Sequence, residues 1–407
     1  MSESLAAYYG GLLNSPVPLE CSLNWCSTGC QYCYANLNSP KRTADTRQIM
    51  GLLSSYRDRT TLAAKLLQQG YPVLCSTHVD FFAKSNEDIG ITILDIMQDL
   101  GIPYMLATKG GDRFVEFIQR SKPCVIYFSV ATLSDLVSYR VEPNAPLPSE
   151  RLKMIEAAIA CGHKVVAGIN PCVPDWIDDP LALATALKNA GVWGVISQPL
   201  HLNNNQIKQI PEQGQAALGE RVLKQAKMRD RDPIVRDFNL KIREVCGAIG
   251  LELYRVGQNI RSDFYQPWKD IYPKLYPTGQ DFVNHCYDTG KQEGDLITWS
   301  EWRDFFVPKL PSGVLPLWNH LAATQNKDWC GKHIDKTGHY MTYEALLKMA
   351  WCDHVIAFSP VNETPFRWLG SFDESAPRGW WRFVDDDNLP VMVFCPEETS
   401  NEVFQDI

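Results

Sequence analysis

Residues 149–169, SERLKMIEAAIACGHKVVAGI, contain one complete unit of the fold. Ser149 can cap a helix whose apolar residues Leu152, Ile155 and Ile159 recur at helical spacing. Gly162 stops it, and the apolar run 164–169 reads as a short strand. The same unit recurs on both sides. Upstream, helices are expected at 62–69, 88–100 and 113–120, with strands at 71–75, 103–107 and 124–130. Downstream come a helix at 180–190 and a strand at 192–196. Asp232 and Pro233 then open a helix to residue 246, and a last strand runs over 251–255.

Short apolar strands separated by helices of about ten to fifteen residues imply βαβ units and a parallel sheet. Six or seven such units, without a Gly-rich dinucleotide turn, predict an α/β fold of the (β/α) type, a partial or full TIM-like barrel. In such barrels chemistry sits where strands end and loops begin. Here those ends are polar: Cys75-Ser76-Thr77-His78, Thr108-Lys109, Ser129 and Asn170.

After residue 255 the alternation dissolves and the composition changes. Residues 1–250 carry 25 basic and 24 acidic side chains, whereas 251–407 carry 14 and 23. Nine of the twelve tryptophans also lie after residue 250. We therefore expect a barrel over 1–255 and a smaller, acidic, Trp-rich α+β or irregular domain over 256–407, placed as a cap on the substrate side. No apolar run approaches the length of a membrane span, and Met1-Ser2-Glu3-Ser4 lacks a signal-peptide pattern, so the expected location is the cytoplasm. Thirteen scattered cysteines, an odd number, argue for reduced thiols rather than a disulfide framework.

One group of those thiols is not scattered. Asn24-Trp25-Cys26-Ser27-Thr28-Gly29-Cys30-Gln31-Tyr32-Cys33-Tyr34 follows the strand-like stretch 16–23 and spaces its cysteines C-x3-C-x2-C. Three thiolates in one Gly-containing loop can wrap a metal centre, and iron–sulfur clusters normally take four. With three, one iron is left open to a ligand. A structural zinc site is the competing reading, with Cys21 as fourth ligand. It would make the protein a zinc-stapled nucleic-acid-binding module.

This motif, with the aromatic Tyr32 before its last cysteine, resembles that of the radical S-adenosylmethionine enzymes. The resemblance implies a [4Fe–4S] cluster on Cys26, Cys30 and Cys33. Its open iron would chelate S-adenosyl-L-methionine, whose reductive cleavage yields a 5′-deoxyadenosyl radical. A one-electron donor such as flavodoxin or ferredoxin is implied as well. Cys33-Tyr34-Ala35, Phe128-Ser129-Val130, Glu142-Pro143-Asn144-Ala145-Pro146 with Glu150-Arg151-Leu152, and the strand 164–171 are similar to the branch containing spore photoproduct lyase.

By that resemblance Lys109 and Ser129 contact the methionine end of the cofactor, and an ammonium at a barrel mouth suits a carboxylate. Cys75 falls where the lyase has a hydrogen-atom donor, and Tyr32 and Tyr34 match tyrosines that relay the radical. Such an enzyme would abstract hydrogen from an organic substrate, a nucleobase lesion ahead of a small molecule or peptide.

Two further features read more plainly. Residues 221–243 hold eight basic and three acidic side chains, which suits nucleic-acid phosphates but more often marks a solvated helix face. Cys286, Cys330, Cys352 and Cys395 have spacings that fit no compact ligand motif, and the late tryptophans read as core.

Overall fold

The computed structural model describes residues 15–23, 25–33, 46–60, 62–76, 79–228, 231–254, 261–311, 319–320, 343–352, 366–369 and 383–396. Seven parallel strands follow one another in sequence order: β1 (Leu19–Cys21), β2 (Val73–Cys75), β3 (Tyr104–Thr108), β4 (Val125–Ser129), β5 (Lys164–Cys172), β6 (Gly194–Pro199) and β7 (Glu252–Tyr254). The helices between them are α1 (Thr46–Ser55), α2 (Leu62–Gln68), α3 (Glu87–Leu100), α4 (Phe114–Arg120), α5 (Asp135–Val141), α6 (Pro148–Ala160) and α7 (Pro180–Asn189). Then follow α8 (Asn204–Gln209), α9 (Glu212–Leu218), α10 (Glu220–Met228) and α11 (Pro233–Ala248). A parallel strand order that never reverses, joined by crossovers of a single hand as βαβ units are, keeps the helices on one face and curls the sheet. Among the described residues β7 does not pair back to the other end of the sheet, so the barrel is the open, partial form.

The period-2 alternation of each strand divides the core in two. Val73, Cys75, Leu106, Ile126, Phe128, Ala167 and Val195 face the helices. Leu74, Met105, Val125, Val166 and Tyr254 face the concave side, where they meet Phe264, Tyr265, Trp268 and Tyr272. The chain after β7 thus re-enters the barrel through α12 (Gln266–Ile271) and plugs its inner face. Trp268 donates its indole N–H to Met105 Sδ at 3.2 Å. Tyr272 donates its hydroxyl to Tyr104 O at 2.6 Å and accepts from Val125 N at 2.9 Å. The boundary expected at residue 255 is therefore not a packing boundary, because the plug belongs to the barrel's core.

Beyond the plug lie α13 (Gly279–Asp288), α14 (Trp299–Phe306) and α15 (Tyr343–Cys352), with an antiparallel sheet of β8 (Leu296–Ile297), β10 (Phe366–Trp368) and β11 (Met392–Phe394). β9 (Asn319–His320) instead pairs parallel with β1. Trp302 centres an aromatic cluster, 4.8 Å from Phe282, 4.5 Å from Phe306 and 5.7 Å from Trp351 between ring centroids. Trp299, Trp302 and Trp351 are buried, so these tryptophans are core, as read from sequence.

Local capping departs from expectation at one helix. α6 begins at Pro148, whose fixed φ and missing N–H suit a first helical position, and Glu150 Oε2 accepts from Leu147 N at 2.8 Å. Ser149 lies inside that first turn and donates its hydroxyl to Asp135 Oδ2 at 2.9 Å instead of capping. Asp232 does cap α11, accepting from Ile234 N and Val235 N at 3.0 and 3.2 Å.

Candidate functional site

The three cysteines arrive together because β1 ends at Cys21 and the loop that follows turns tightly over the C-terminal ends of the strands. Gly29 makes that turn at φ +67°, a conformation costly for a residue with a Cβ. A side chain there would also stand 3.2 Å from Asn144 Nδ2. The stretch 141–144 clasps the loop along its backbone. Gln31 N donates to Val141 O at 2.9 Å, Asn144 N to Thr28 O at 3.1 Å, and Asn144 Nδ2 to Ser27 O at 2.9 Å. On the other side Asn86 Nδ2 donates to Trp25 O at 2.7 Å, and Ser27 and Ser85 exchange hydrogen bonds of 3.2 and 3.0 Å.

Inside this clasp is a cavity of about 520 Å³ at the mouth of the barrel. Cys26, Cys30 and Cys33 line one wall, with Tyr32 and Lys109 beside them. Ser76, Asp80, Thr108, Tyr127, Ser129, Asn170 and Gln198 come from strand ends and the turns after them, and His201, Asn203 and Gln206 close the far side. Tyr127, whose register partner is Val166, reaches this space by laying its ring over Gly168, where a Cβ would fall 1.9 Å from the phenol oxygen. Every residue of the lining precedes residue 207; among the described residues the C-terminal part contributes none, so the expected cap on the mouth is not seen there.

Beneath the cysteines lies a charged group withdrawn from water. Glu142 Oε2 accepts from Arg151 Nη2 at 2.5 Å and from Ser138 Oγ at 3.4 Å. Its Oε1 accepts the Tyr32 hydroxyl and stands 3.6 Å from Lys109 Nζ. Burial alone would raise the Glu142 pKa, but Arg151 and Lys109 reverse this and bring it down to about 2. Burial likewise pulls Lys109 downward, yet the neighbouring Cys30 and Glu142 outweigh it and raise its pKa. Burial pushes the Cys30 thiol up to about 12, against the pull of Lys109. Lys109 Nζ also sits 6.0 Å from the centre of the Tyr32 ring.

Asp80 organises the opposite corner. Its Oδ1 accepts from Phe82 N at 3.0 Å and Thr108 Oγ1 at 2.8 Å, and its Oδ2 from Lys109 N at 2.7 Å. It therefore fixes the backbone from which Lys109 projects. Ser129 Oγ donates to Asn170 O at 3.5 Å, and Asn170 Nδ2 donates to Gln198 Oε1 at 3.2 Å.

Of the residues expected at the site, Cys26, Cys30, Cys33, Tyr32, Lys109 and Ser129 meet at this cavity. Tyr34 lies outside the described residues, as do Thr77 and His78. Cys75 is a correction. It sits in register with Cys21 and Leu106 on the helix-facing side of the sheet, fully buried, while Ser76 is the residue that reaches the cavity. A strand places successive side chains on opposite faces, so a thiol at position 75 points away from the mouth.

The same parity removes Cys21, the fourth ligand that the zinc reading needs. Thiolates sharing one zinc at 2.3 Å would stand about 3.8 Å apart. Among the described residues no three His, Cys, Asp or Glu side chains are gathered to hold one metal ion. Thiolates that each bind a different iron of one cluster do not share an ion. Three cysteines of one loop at one cavity, beside an ammonium, are a donor set that fits a cluster with one open iron.

In the sequence Glu142 and Arg151 belong to a pattern that assigns them no role, and Asp80 stands out only as an acid two residues after His78. For Glu142 and Arg151 the signal is an acidic and a basic residue nine apart at a helix-to-helix passage, visible as an ion pair only once α5 and α6 are placed.

No family model matches the chain, and no curated protein sequence matches it. Among solved structures it is similar to Streptococcus suis SuiB bound to S-adenosylmethionine, with 14% identity and a TM-score of 0.41 over 63% of this chain and 53% of that one. SuiB bound to the precursor peptide SuiA gives 13% and 0.40, over 63% and 52%. Spore photoproduct lyase complexed with dinucleoside spore photoproduct gives 11% and 0.37, over 60% and 76%. The chain thus spans about half the length of the SuiB chains it matches.

Proposed function

We propose that this protein is a radical S-adenosylmethionine enzyme whose cavity holds a [4Fe–4S] cluster on Cys26, Cys30 and Cys33 with the cofactor against it. The observation that carries this reading is the convergence of those three thiols and Lys109 on one cavity, with Cys21 turned to the far face of the sheet. When reduced, such a cluster supplies the electron that cleaves S-adenosylmethionine to methionine and a 5′-deoxyadenosyl radical.

The chain's own residues do the rest. Lys109 binds the methionine carboxylate, its backbone N–H fixed by Asp80 and its ammonium steadied by Glu142. Ser129 and the Asn170–Gln198 pair offer neutral hydrogen-bonding groups to the more distant parts of the ligands. The aromatic plug beneath keeps bulk water from entering through the barrel floor. The electron comes from a one-electron donor such as flavodoxin or ferredoxin. The hydrogen is taken from an organic substrate, for which a nucleobase lesion is our first candidate, on the resemblance of residues 128–152 to the spore photoproduct lyase branch.

Anaerobic purification tests the class. We expect a brown protein with about four irons per chain, which releases 5′-deoxyadenosine on reduction with the cofactor. Cys30→Ala should abolish that release. A colourless protein carrying one zinc, or undiminished release from the variant, would refute the assignment. Deuterium transfer from candidate substrates into 5′-deoxyadenosine identifies the molecule attacked.

A further inference from the structure

Glu142 joins four parts of the molecule that are otherwise separate: the cysteine loop through Tyr32, the end of β3 through Lys109, α5 through Ser138 and α6 through Arg151. Neutralising Arg151 does not explain this. Arg151 already donates to Pro146 O at 2.7 Å and Ser129 O at 3.1 Å, and one carboxylate oxygen would serve it. The second oxygen is turned to the thiol side, where it accepts the hydroxyl of Tyr32, one of the two residues between Cys30 and Cys33.

The charges are also grouped. Glu142 and Arg151 are 1% and 0% exposed and Lys109 18%, and with the Asp80 carboxylate on the Lys109 backbone N–H two cations face two carboxylates beside the cysteines. Charge in such a medium acts over longer distances than in water. The reduction potential of an iron–sulfur centre follows net charge, hydrogen bonding and solvent exposure.

Resting on the cluster assignment above, we propose that Glu142 is a positioning residue that sets the reduction potential of the centre. It anchors the cysteine loop through Tyr32, holds Lys109 beside Cys30, and makes the local charge one unit more negative. The carboxylate makes one-electron reduction harder than Lys109 and Arg151 alone would, and Lys109 makes it easier.

The test is a spectroscopic redox titration of anaerobically purified protein, with iron content measured alongside. Glu142→Gln keeps the shape; its amide oxygen can accept from Arg151 while its amide N–H donates to the Tyr32 hydroxyl. It should load iron normally and show a midpoint raised by at least a tenfold change in the reduction equilibrium constant, about 59 mV for one electron. Lys109→Met, at a partly exposed side chain, should load normally and shift by a similar factor downward. Tyr32→Phe leaves the charges alone; its midpoint should stay within threefold of wild type while the electron paramagnetic resonance lines broaden.

Iron-loaded Glu142→Gln with an unchanged midpoint would overturn the proposal. So would a Tyr32→Phe shift as large as that of Glu142→Gln, since charge would then not be the lever. If Glu142→Gln fails to fold, Lys109→Met decides: a downward shift supports the proposal and an unchanged midpoint overturns it. Wild-type protein that takes up no iron would instead sink the cluster reading itself.

Discussion

Glu142 and Arg151 meet at 2.5 Å with both side chains withdrawn from solvent, and their bond ties the start of α6 to the end of α5 directly under the cysteine loop. A buried pair of this kind gains little over an apolar substitute, but half of it is expensive to keep. That asymmetry governs what substitutions there should do.

Arg151→Met should cost about 3–5 kcal/mol, because it strands a buried carboxylate. Adding Glu142→Gln should return part of the loss. Urea unfolding of cluster-free protein measures both. A single-variant cost below about 1 kcal/mol would mean that the site admits water and the pair is not dry.

Acid should act on the same carboxyl. Its folded pKa of about 2 lies below the ordinary 4.5, so the unfolded chain binds more protons between those values. The stabilisation is complete above pH 4.5 and is lost as pH falls through 2, amounting to roughly 3 kcal/mol. Wild type should therefore lose stability across that window more steeply than Glu142→Gln. Parallel slopes would contradict it.

Cys75→Ala should leave 5′-deoxyadenosine release and substrate turnover at wild-type rates, since the thiol points into the helix-side core. The small cavity it creates should cost about 1 kcal/mol and lower the melting temperature by a few degrees. Loss of product with cofactor cleavage retained would restore the hydrogen-donor role to this residue.

At Gly168 even a methyl group would overlap the Tyr127 ring, with the phenol oxygen 1.9 Å and Cζ 2.1 Å away. Gly168→Ala should destabilise by about 1–3 kcal/mol through overpacking and displace Tyr127 from the cavity wall. Thermal melts report the first effect. Weakened cofactor binding in an iron-loaded variant reports the second, and an unaltered affinity would argue that Tyr127 does not shape that wall.

Tyr272→Phe should cost about 1–3 kcal/mol, because Val125 N loses its acceptor inside the barrel. Hydrogen exchange should locate the effect at the Val125 amide. Unchanged protection there would show that the plug does not bear on β4.

The barrel was legible because each βα unit repeats the same local physics: a strand of alternating or continuous apolar residues, a helix with a 3.6-residue stripe, and a glycine between. The cysteine loop was legible because its ligands are close in sequence. Cys75 misled because position alone does not give face; only the register with Cys21 and Leu106 does. Glu142 and Asp80 were opaque for another reason. Arg151 and Tyr32, which bond Glu142, lie 9 and 110 residues from it and Thr108 lies 28 from Asp80, and a carboxylate in isolation looks like surface. The plug was hidden by its composition, since Phe264, Tyr265 and Trp268 match a Trp-rich tail as well as they match a barrel interior.

That plug has a consequence for how the chain is made. The ribosome releases all seven barrel strands before residue 264 appears, so the nascent barrel passes through a stage with Leu74, Met105, Val125 and Val166 facing water. The thiol loop is synthesised first and the floor below it last. The cavity therefore has a natural order of assembly: a chain cut after β7 would present its cysteines above a wet, open trough, and only further elongation gives that trough a floor.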